Sequence, residues 1–392
     1  MKLKKNIVEL FDEAKTNNSY VKICAPMVRY SKVQFRTLVK NYGTELTFTP
    51  MILADSFCQN SKARTNEFST TTSDSPLIVQ FAANNALDFA DASKLIYPYA
   101  DGVDLNCGCP QKWAMKDGYG CALLSKPNLI FNLVREVKNS LSPNFSISVK
   151  IRVLDDLKKT INLCQQLEKC GVTFLTVHGR TPQQKTGDSI NVAALEEVCK
   201  SVQVPVVANG GIKTLQDADT LYNATKCNGV MAASGILTNP ALFSGANRTP
   251  LSCVKLWQTF KNKDKQKITF QCYHHHLVFM LEKVLTKQQK LVFNHLSTFE
   301  DVDEYINKYL YEPESDFNYA YDLDDFLVCD FPDEITLKHS HKCRGCSKSV
   351  CYCTCSKYDY DATDGSFFTS YIETKDSSDY MDSNIFNEYD SG

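Results

Sequence analysis

The residues best suited to chemistry sit where short apolar runs break off. Residues 102–124 read GVDLNCGCPQKWAMKDGYGCALL. The run Val103-Asp104-Leu105 gives way at Asn106-Cys107-Gly108-Cys109-Pro110, so a buried strand ends abruptly and delivers Cys109 to a rim. Free cysteines are usually inert small hydrophobes. This one lies between glycine and proline, off any helical apolar face, which favours a role as acid or nucleophile. The turn beyond it carries Lys112, Lys116, Gly118, Gly120 and Cys121, a basic, glycine-rich loop beside the thiol.

Polar or special residues recur wherever another apolar run stops. The first run ends in Ala25-Pro26-Met27-Val28, a rigid backbone on which a flat ring can rest. The second ends near Met51 and Asp55, the third carries Gln80, the fourth Asn106 and Cys109, and the fifth Lys150 and Arg152. The sixth ends His178-Gly179-Arg180, the seventh Asn209-Gly210-Gly211 and the eighth Ala233-Ser234-Gly235. Each has an ordinary reading by itself: Lys150 as a solvated strand end, Gln80 as a satisfied polar group, Asn209-Gly210 as a turn. Their joint recurrence is the stronger signal. Phosphate sites in parallel barrels commonly use the turns after strands seven and eight, where backbone N–H groups suit a dianion. A planar cofactor with a phosphate tail fits that set, and FMN is the expected one.

The elements that must position these residues alternate between strand and helix over the first 245 residues. Strands are expected at 22–26, 46–51, 77–82, 102–108, 147–153, 174–180, 205–211 and 229–234. Helices between them include 31–41, 128–140, 156–170 and 214–224. Alternation of this kind implies parallel strands with right-handed crossovers. Eight strands predict an α/β fold of the (β/α)8 TIM-barrel type, with a doubly wound open sheet as the alternative. The expected organisation is an N-terminal extension at 1–19, the barrel at 20–246, a small all-helical domain at 247–311 and an acidic, largely disordered tail at 312–392.

Residues 252–309 read as helix throughout. Lys255, Lys261, Lys263, Lys265, Lys267, Lys283, Lys287 and Lys290 make this stretch basic, suited to phosphates or simply to solvent. His274-His275-His276 cannot converge on one metal, because consecutive helical residues point in different directions. In the tail, Cys343, Cys346, Cys351, Cys353 and Cys355 cluster near His339 and His341. The Cys-x-x-Cys opening suits zinc, but a second such pair is missing, so these residues are zinc candidates and no metal is assigned.

The 392 residues carry a formal net charge of −2, which hides a division. Residues 1–311 hold 37 Lys and Arg against 27 Asp and Glu, whereas 312–334 holds nine acidic residues and no basic one. A basic body with acidic appendages suggests an anionic partner for the body. The 17 cysteines are scattered through predicted elements apart from the five near the end, which argues for a reducing compartment over a disulfide scaffold. The N-terminal stretch has no apolar core, and Glu9, Asp12 and Glu13 argue against a mitochondrial transit peptide. No apolar run approaches the roughly 20 residues of a membrane span. A cytoplasmic or nuclear protein with no membrane contact is expected, and nothing points to a stable protein partner.

The NxGCP motif followed by GYGCALL resembles the signature of the tRNA-dihydrouridine synthases, flavin enzymes that reduce uridine in the D-loop of tRNA. The resemblance covers roughly residues 20–310 and is nearest the eukaryotic 4-like branch, carried by VRYSKVQFRTLVKNYG and CYHHHLVFMLEKVLTKQQKLVFN. It implies a barrel followed by a helical tRNA-binding domain, FMN as cofactor, NAD(P)H as reductant and uridines 20a and 20b as targets. It implies that Pro26, Met27, Val28, Gln80, Lys150 and His178 hold the flavin. Asn209, Gly210, Gly211, Ala233 and Ser234 then face its phosphate. Asn106, Arg152, Arg180 and Lys112 fall to the substrate, with Cys109 as the general acid. Two positions depart from the family pattern. Ser234 stands where arginine is usual, and Cys107 where an apolar residue is usual. A dihydroorotate- or dihydropyrimidine-type flavin reductase shares the barrel and the pyrimidine chemistry, but needs no basic exterior. An inactive tRNA-binding scaffold on the same fold is the reading from a different class.

Overall fold

The computed structural model describes residues 4–261 and 268–310, together with 320, 321, 323, 326–329 and 331. Elements in chain order begin with α1 (Ile7–Thr16), β1 (Val21–Cys24), α2 (Val33–Lys40), β2 (Leu46–Phe48) and β3 (Ile52–Leu53). They continue with α3 (Ala54–Gln59), α4 (Ser61–Glu67), β4 (Leu77–Ala82), α5 (Ala86–Ile96), β5 (Gly102–Cys107) and α6 (Lys112–Lys116). Next come α7 (Pro127–Ser140), β6 (Ser146–Arg152), α8 (Leu157–Lys169), β7 (Phe174–His178), α9 (Val192–Ser201), β8 (Val206–Asn209) and α10 (Leu215–Thr225). The last are β9 (Gly229–Ala232), α11 (Ser234–Thr238), α12 (Leu251–Phe260), α13 (Phe270–Met280), α14 (Lys287–Asn294) and α15 (Phe299–Tyr309).

Eight strands close a parallel barrel in the order β1, β2, β4, β5, β6, β7, β8, β9, and β9 returns to β1. The two-residue β3 adds to the far end of β4 through Ile52 and Phe81. This is the expected (β/α)8 architecture. Every strand residue is buried except Lys22, because helices cover the outside and side chains fill the inside. Such two-sided burial is why these strands read as unbroken apolar runs in the sequence.

One end of the barrel is plugged. The N-terminal extension folds as α1, whose Ile7 and Phe11 are buried, and the Phe11 ring lies 5.3 Å from Phe174 at the start of β7. Asn6 caps this helix by accepting from the N–H of Val8.

The region after the barrel differs from expectation at two points. The stretch read as helix throughout is α12 to α15, broken where Thr269, Thr286 and Thr298 cap new helices. These helices pack onto the barrel. Tyr42 donates from its hydroxyl to Ser252 at 2.8 Å, and His276 Nε2 lies 3.1 Å from the Tyr30 carbonyl oxygen. The segment expected as irregular tail also contributes to the core where it is described. Leu323 is buried, Phe326 bridges Thr71, and the Phe331 ring meets Phe57, Phe68 and Tyr99 at 5.6, 6.1 and 5.4 Å. The five clustered cysteines lie outside the described residues.

Candidate active site

The interior of a barrel of this kind is usually filled by branched apolar side chains. Here the register places polar residues on successive strands instead. Gln80 pairs with Asp104, and Asp104 with Ser148. Asn106 pairs with Lys150, and Lys150 with Thr176. Arg152 pairs with His178, and His178 with Asn209. All nine are buried. A strand period of two keeps Asp104 and Asn106, or Ser148, Lys150 and Arg152, on the same inward face.

Cys109 follows β5 and is 4% exposed. It belongs to a small apolar cluster with Met51, Leu53, Ala82, Ala114 and Tyr119, set apart from the main core and flanked by Val28 and Trp113. Burial raises its thiol pKa, while a backbone N–H bond and the cations Arg152 and Lys150 pull the other way. Burial wins, so the thiol stays protonated at neutral pH. Two backbone contacts hold its loop: Asn106 Oδ1 accepts from the N–H of Gly108 at 3.1 Å and of Cys109 at 2.9 Å. The Cys109 carbonyl in turn accepts from Cys121 at 2.9 Å. Gly120 must be glycine, since it has φ +58° and an added Cβ would lie 2.4 Å from the Cys109 oxygen. Tyr119 latches the loop by donating to Asp55 at 3.1 Å.

His178 is buried among cations. Desolvation first, then Lys150, Arg152 and Arg180, push its pKa well below the ordinary value, so the ring is neutral. Arg180 Nη1 lies 3.3 Å from Nε2, and because guanidinium can only donate, the ring proton sits on Nδ1. That Nδ1, the Asn209 Oδ1 and the Thr176 Oγ1 are buried and find no partner within the protein. Three orphaned polar atoms on two adjacent strands mark a place built for a ligand. Gly210, at φ +116°, leaves room there: a Cβ would come within 2.7 Å of the His178 ring.

Pro26 and Met27 are buried and Val28 half-buried, in a turn where Met27 accepts from the N–H of Tyr30 and of Ser31. The adjoining Arg29 has φ +71°, a backbone state uncommon for any residue but glycine. Ala233 is buried and Ser234 opens the short α11. Gly211 follows at φ +74°. The barrel mouth thus gathers nearly every site residue expected from sequence.

The exceptions are informative. Lys112 is exposed on α6. Arg152 donates to the carbonyls of Gly108 and Thr181 at 2.9 and 3.1 Å, and Arg180 to that of Asp188 at 2.7 Å, so both brace loops. Sequence reasoning missed Asp104, Ser148 and Thr176 because they sit inside apolar runs. A lone Asp in GVDLN was the available signal. His274 and His276 are buried and His275 is exposed, and among the described residues no His, Cys, Asp and Glu group could hold a metal. No helix among the described residues is long and apolar enough to cross a membrane.

Comparison with known proteins agrees with this geometry. Residues 23–312 match the family model described as dihydrouridine synthase. A mouse relative named tRNA-dihydrouridine(20a/20b) synthase [NAD(P)+]-like is 47% identical over 304 residues, covering 77% of this chain and 92% of its own. The fission yeast tRNA-dihydrouridine(20a/20b) synthase [NAD(P)+] is 43% identical over 289 residues, covering 73% and 87%. The budding yeast protein of the same name is 37% identical over 280 residues, covering 71% and 76%. With its barrel mouth, thiol loop and nearly the whole of the first 312 residues accounted for in this way, the chain belongs to the dihydrouridine synthase family.

Proposed function

We propose that this protein reduces uridines 20a and 20b of tRNA to dihydrouridine, using NAD(P)H and bound FMN. The observation that carries the reading is one polar-lined barrel that holds both a protonated, buried thiol after β5 and three orphaned polar atoms on β7 and β8. Those atoms fit FMN: His178 Nδ1 can donate to a ring heteroatom, and Asn209 and Thr176 offer further hydrogen bonds. Pro26, Met27 and Val28 would seat the ring, Gln80 and Lys150 would hold its polar edge, and the loops at Gly210-Gly211 and Ala233-Ser234 would take the phosphate. The chemistry FMN supplies when bound is hydride delivery to C6 of the uracil, with NAD(P)H as the electron source.

The protein's own residues do the rest. Cys109 donates a proton to C5, and its buried setting keeps the thiol in the donating form until charge develops on the substrate. Lys150 acts electrostatically on Asp104, Cys109 and His178 alike, and a cation so placed would favour an anionic ring edge. Arg152 fixes the Gly108 carbonyl and with it the start of the thiol loop. Asn106, Arg152 and Arg180 would act on the substrate through the loops they hold, and Lys112 from the exposed rim where a base drawn out of its stack would enter. The lysines of α12 and α14 would meet phosphates.

Two measurements test this. Purified protein should carry flavin absorbance. In cells lacking it, dihydrouridine should vanish from positions 20a and 20b of tRNA and persist elsewhere. Unchanged modification at both positions would overturn the reading, and reduction of free pyrimidines instead of tRNA would favour a dihydropyrimidine-type reductase.

A further inference from the structure

We propose that Asp104 is a positioning residue that sets the Cys109 loop through a one-way relay of hydrogen bonds. Asp104 is fully buried inside the barrel on β5. Its Oδ1 accepts from the Ser148 hydroxyl at 2.6 Å and its Oδ2 from Gln80 Nε2 at 2.8 Å. An ionised carboxylate can only accept. The Gln80 amide must therefore turn its NH2 toward Asp104 and its oxygen away. That oxygen accepts from Asn106 Nδ2 at 2.9 Å. Asn106 is thereby turned so that its own oxygen meets the N–H groups of Gly108 and Cys109.

Either amide alone can sit two ways round, and the carboxylate removes the choice for both. Were Asn106 reversed, its NH2 would face two backbone donors and the loop carrying the thiol would lose both anchors. Buried networks of this kind fix one arrangement when every member is satisfied. Asp104 thus acts on Cys109 through two intervening side chains, Gln80 and Asn106, without reaching a ligand itself. The inference rests on the proposed role of Cys109 as proton donor.

The decisive variant is Asp104→Asn, which keeps the shape but lets the relay run either way. The first readout is independent of turnover: the rate at which iodoacetamide alkylates Cys109, followed by peptide mass spectrometry with the buried Cys24 and Cys107 as internal controls. D104N should raise the Cys109 rate several-fold and leave the controls unchanged. The second readout separates half-reactions. Flavin content and reduction by NAD(P)H should match the wild type, while oxidation of the reduced protein by tRNA slows by up to about 10²-fold, the scale of a misplaced catalytic group. Ser148→Ala, which removes a bond to the same carboxylate without cutting the relay, should leave Cys109 alkylation near the wild-type rate. If D104N does not accumulate as folded protein, Gln80→Met cuts the relay one link later. Because Gln80 also borders the proposed flavin site, only its alkylation is read, and Cys109 should react faster while Cys24 and Cys107 do not. Normal alkylation and normal tRNA turnover in D104N would overturn the inference, as would loss of flavin together with alkylation of all three cysteines. Wild-type protein that never reduces tRNA would instead count against the proposed function, and the alkylation result would still report on the relay.

Discussion

The two ends of the barrel are both charged and buried, yet they are finished differently. At the N-terminal ends of the strands every charge named here is answered within the chain. Asp74 accepts from Arg36 at 2.6 Å, Lys40 at 3.1 Å and Thr70 at 3.1 Å. Asp101 accepts from the backbone of Lys5 and Leu77 and from the Ser75 hydroxyl, and α1 seals the opening with Phe11. At the C-terminal ends charged and neutral polar groups crowd together, and three neutral ones, His178, Asn209 and Thr176, keep a buried atom with no hydrogen-bond partner within the protein. Buried polar groups left open cost stability. An end that gathers such atoms around one cavity is kept for binding, and an end that answers its buried carboxylates Asp74 and Asp101 is kept for folding. The contrast makes opposite predictions for the two ends.

The largest effect is expected at the open end. Cys109→Ala should keep its flavin and its reduction by NAD(P)H while losing turnover on tRNA by roughly 10²- to 10⁴-fold, the contribution of a general acid. Cys107, fully buried in β5 and facing away from the mouth residues by strand alternation, should tolerate Ala with a far smaller loss. Stopped-flow measurement of the two half-reactions checks both, and a large loss at Cys107 with none at Cys109 would sink the assignment.

At the closed end the penalty should appear in stability instead. Asp74→Ala leaves Arg36 and Lys40 buried without their carboxylate, and removing one partner of such a cluster costs about 3–5 kcal/mol. Urea unfolding should show that loss, while protein that remains folded keeps its flavin and the ratio of its two half-reaction rates. A selective loss of tRNA turnover would show that the two ends are coupled.

Acidity separates two groups within the open end. Burial, opposed by Ser148, Gln80 and Lys150, lifts the Asp104 pKa to about 6 from 3.8. The folded state then binds a proton that the unfolded state has released, so stability falls as pH rises from about 4 to about 6. The full cost, roughly 3 kcal/mol, is present above that window. His178, held below its ordinary pKa, has the opposite slope and loses stability as pH falls below about 6.5. Comparing wild type with D104N in urea across this range isolates the Asp104 contribution, and a pH-independent difference would mean that the carboxyl keeps its ordinary pKa.

How much of this was readable beforehand depended on whether a residue's neighbours in sequence are also its neighbours in space. β4 was legible to the residue, since Leu77–Ala82 is one apolar run between polar turns. The sequence carries the second strand through to Met51, but its ladder ends at Phe48, ahead of Pro50, which has no N–H to give. The breaks within 252–309 were signalled by Thr286 with Gln289, a reciprocal cap, and went unread because the lysine-rich composition suits helix on both sides. Cys109, Lys150 and His178 announce themselves by type at strand ends. Asp104 does not, because its meaning comes from register with Gln80 and Ser148, which no local pattern contains.

The smallest effect should come from the acidic segment, and it bears most directly on what closes the lower end. Its nine acidic residues between 312 and 334 read as solvated chain, but several of the segment's described residues anchor it to the barrel. Leu323 is buried, Leu327 donates its N–H to the Thr70 carbonyl at 3.0 Å, and Asn41 exchanges two hydrogen bonds with the backbone of Tyr321. Thr70 also donates to Asp74, so the segment touches the same cluster that Arg36 and Lys40 complete. Phe331 stays partly exposed, and removing its three ring contacts by Phe331→Ala should cost about 1 kcal/mol in urea unfolding. Truncation after Tyr311 removes all these anchors and should cost more than the single variant, while flavin content and tRNA reduction at a permissive temperature persist. Loss of flavin from the folded truncated protein would show that the segment reaches the open end after all. An unchanged unfolding midpoint would show that α1 and the Asp74 cluster close the lower end without it.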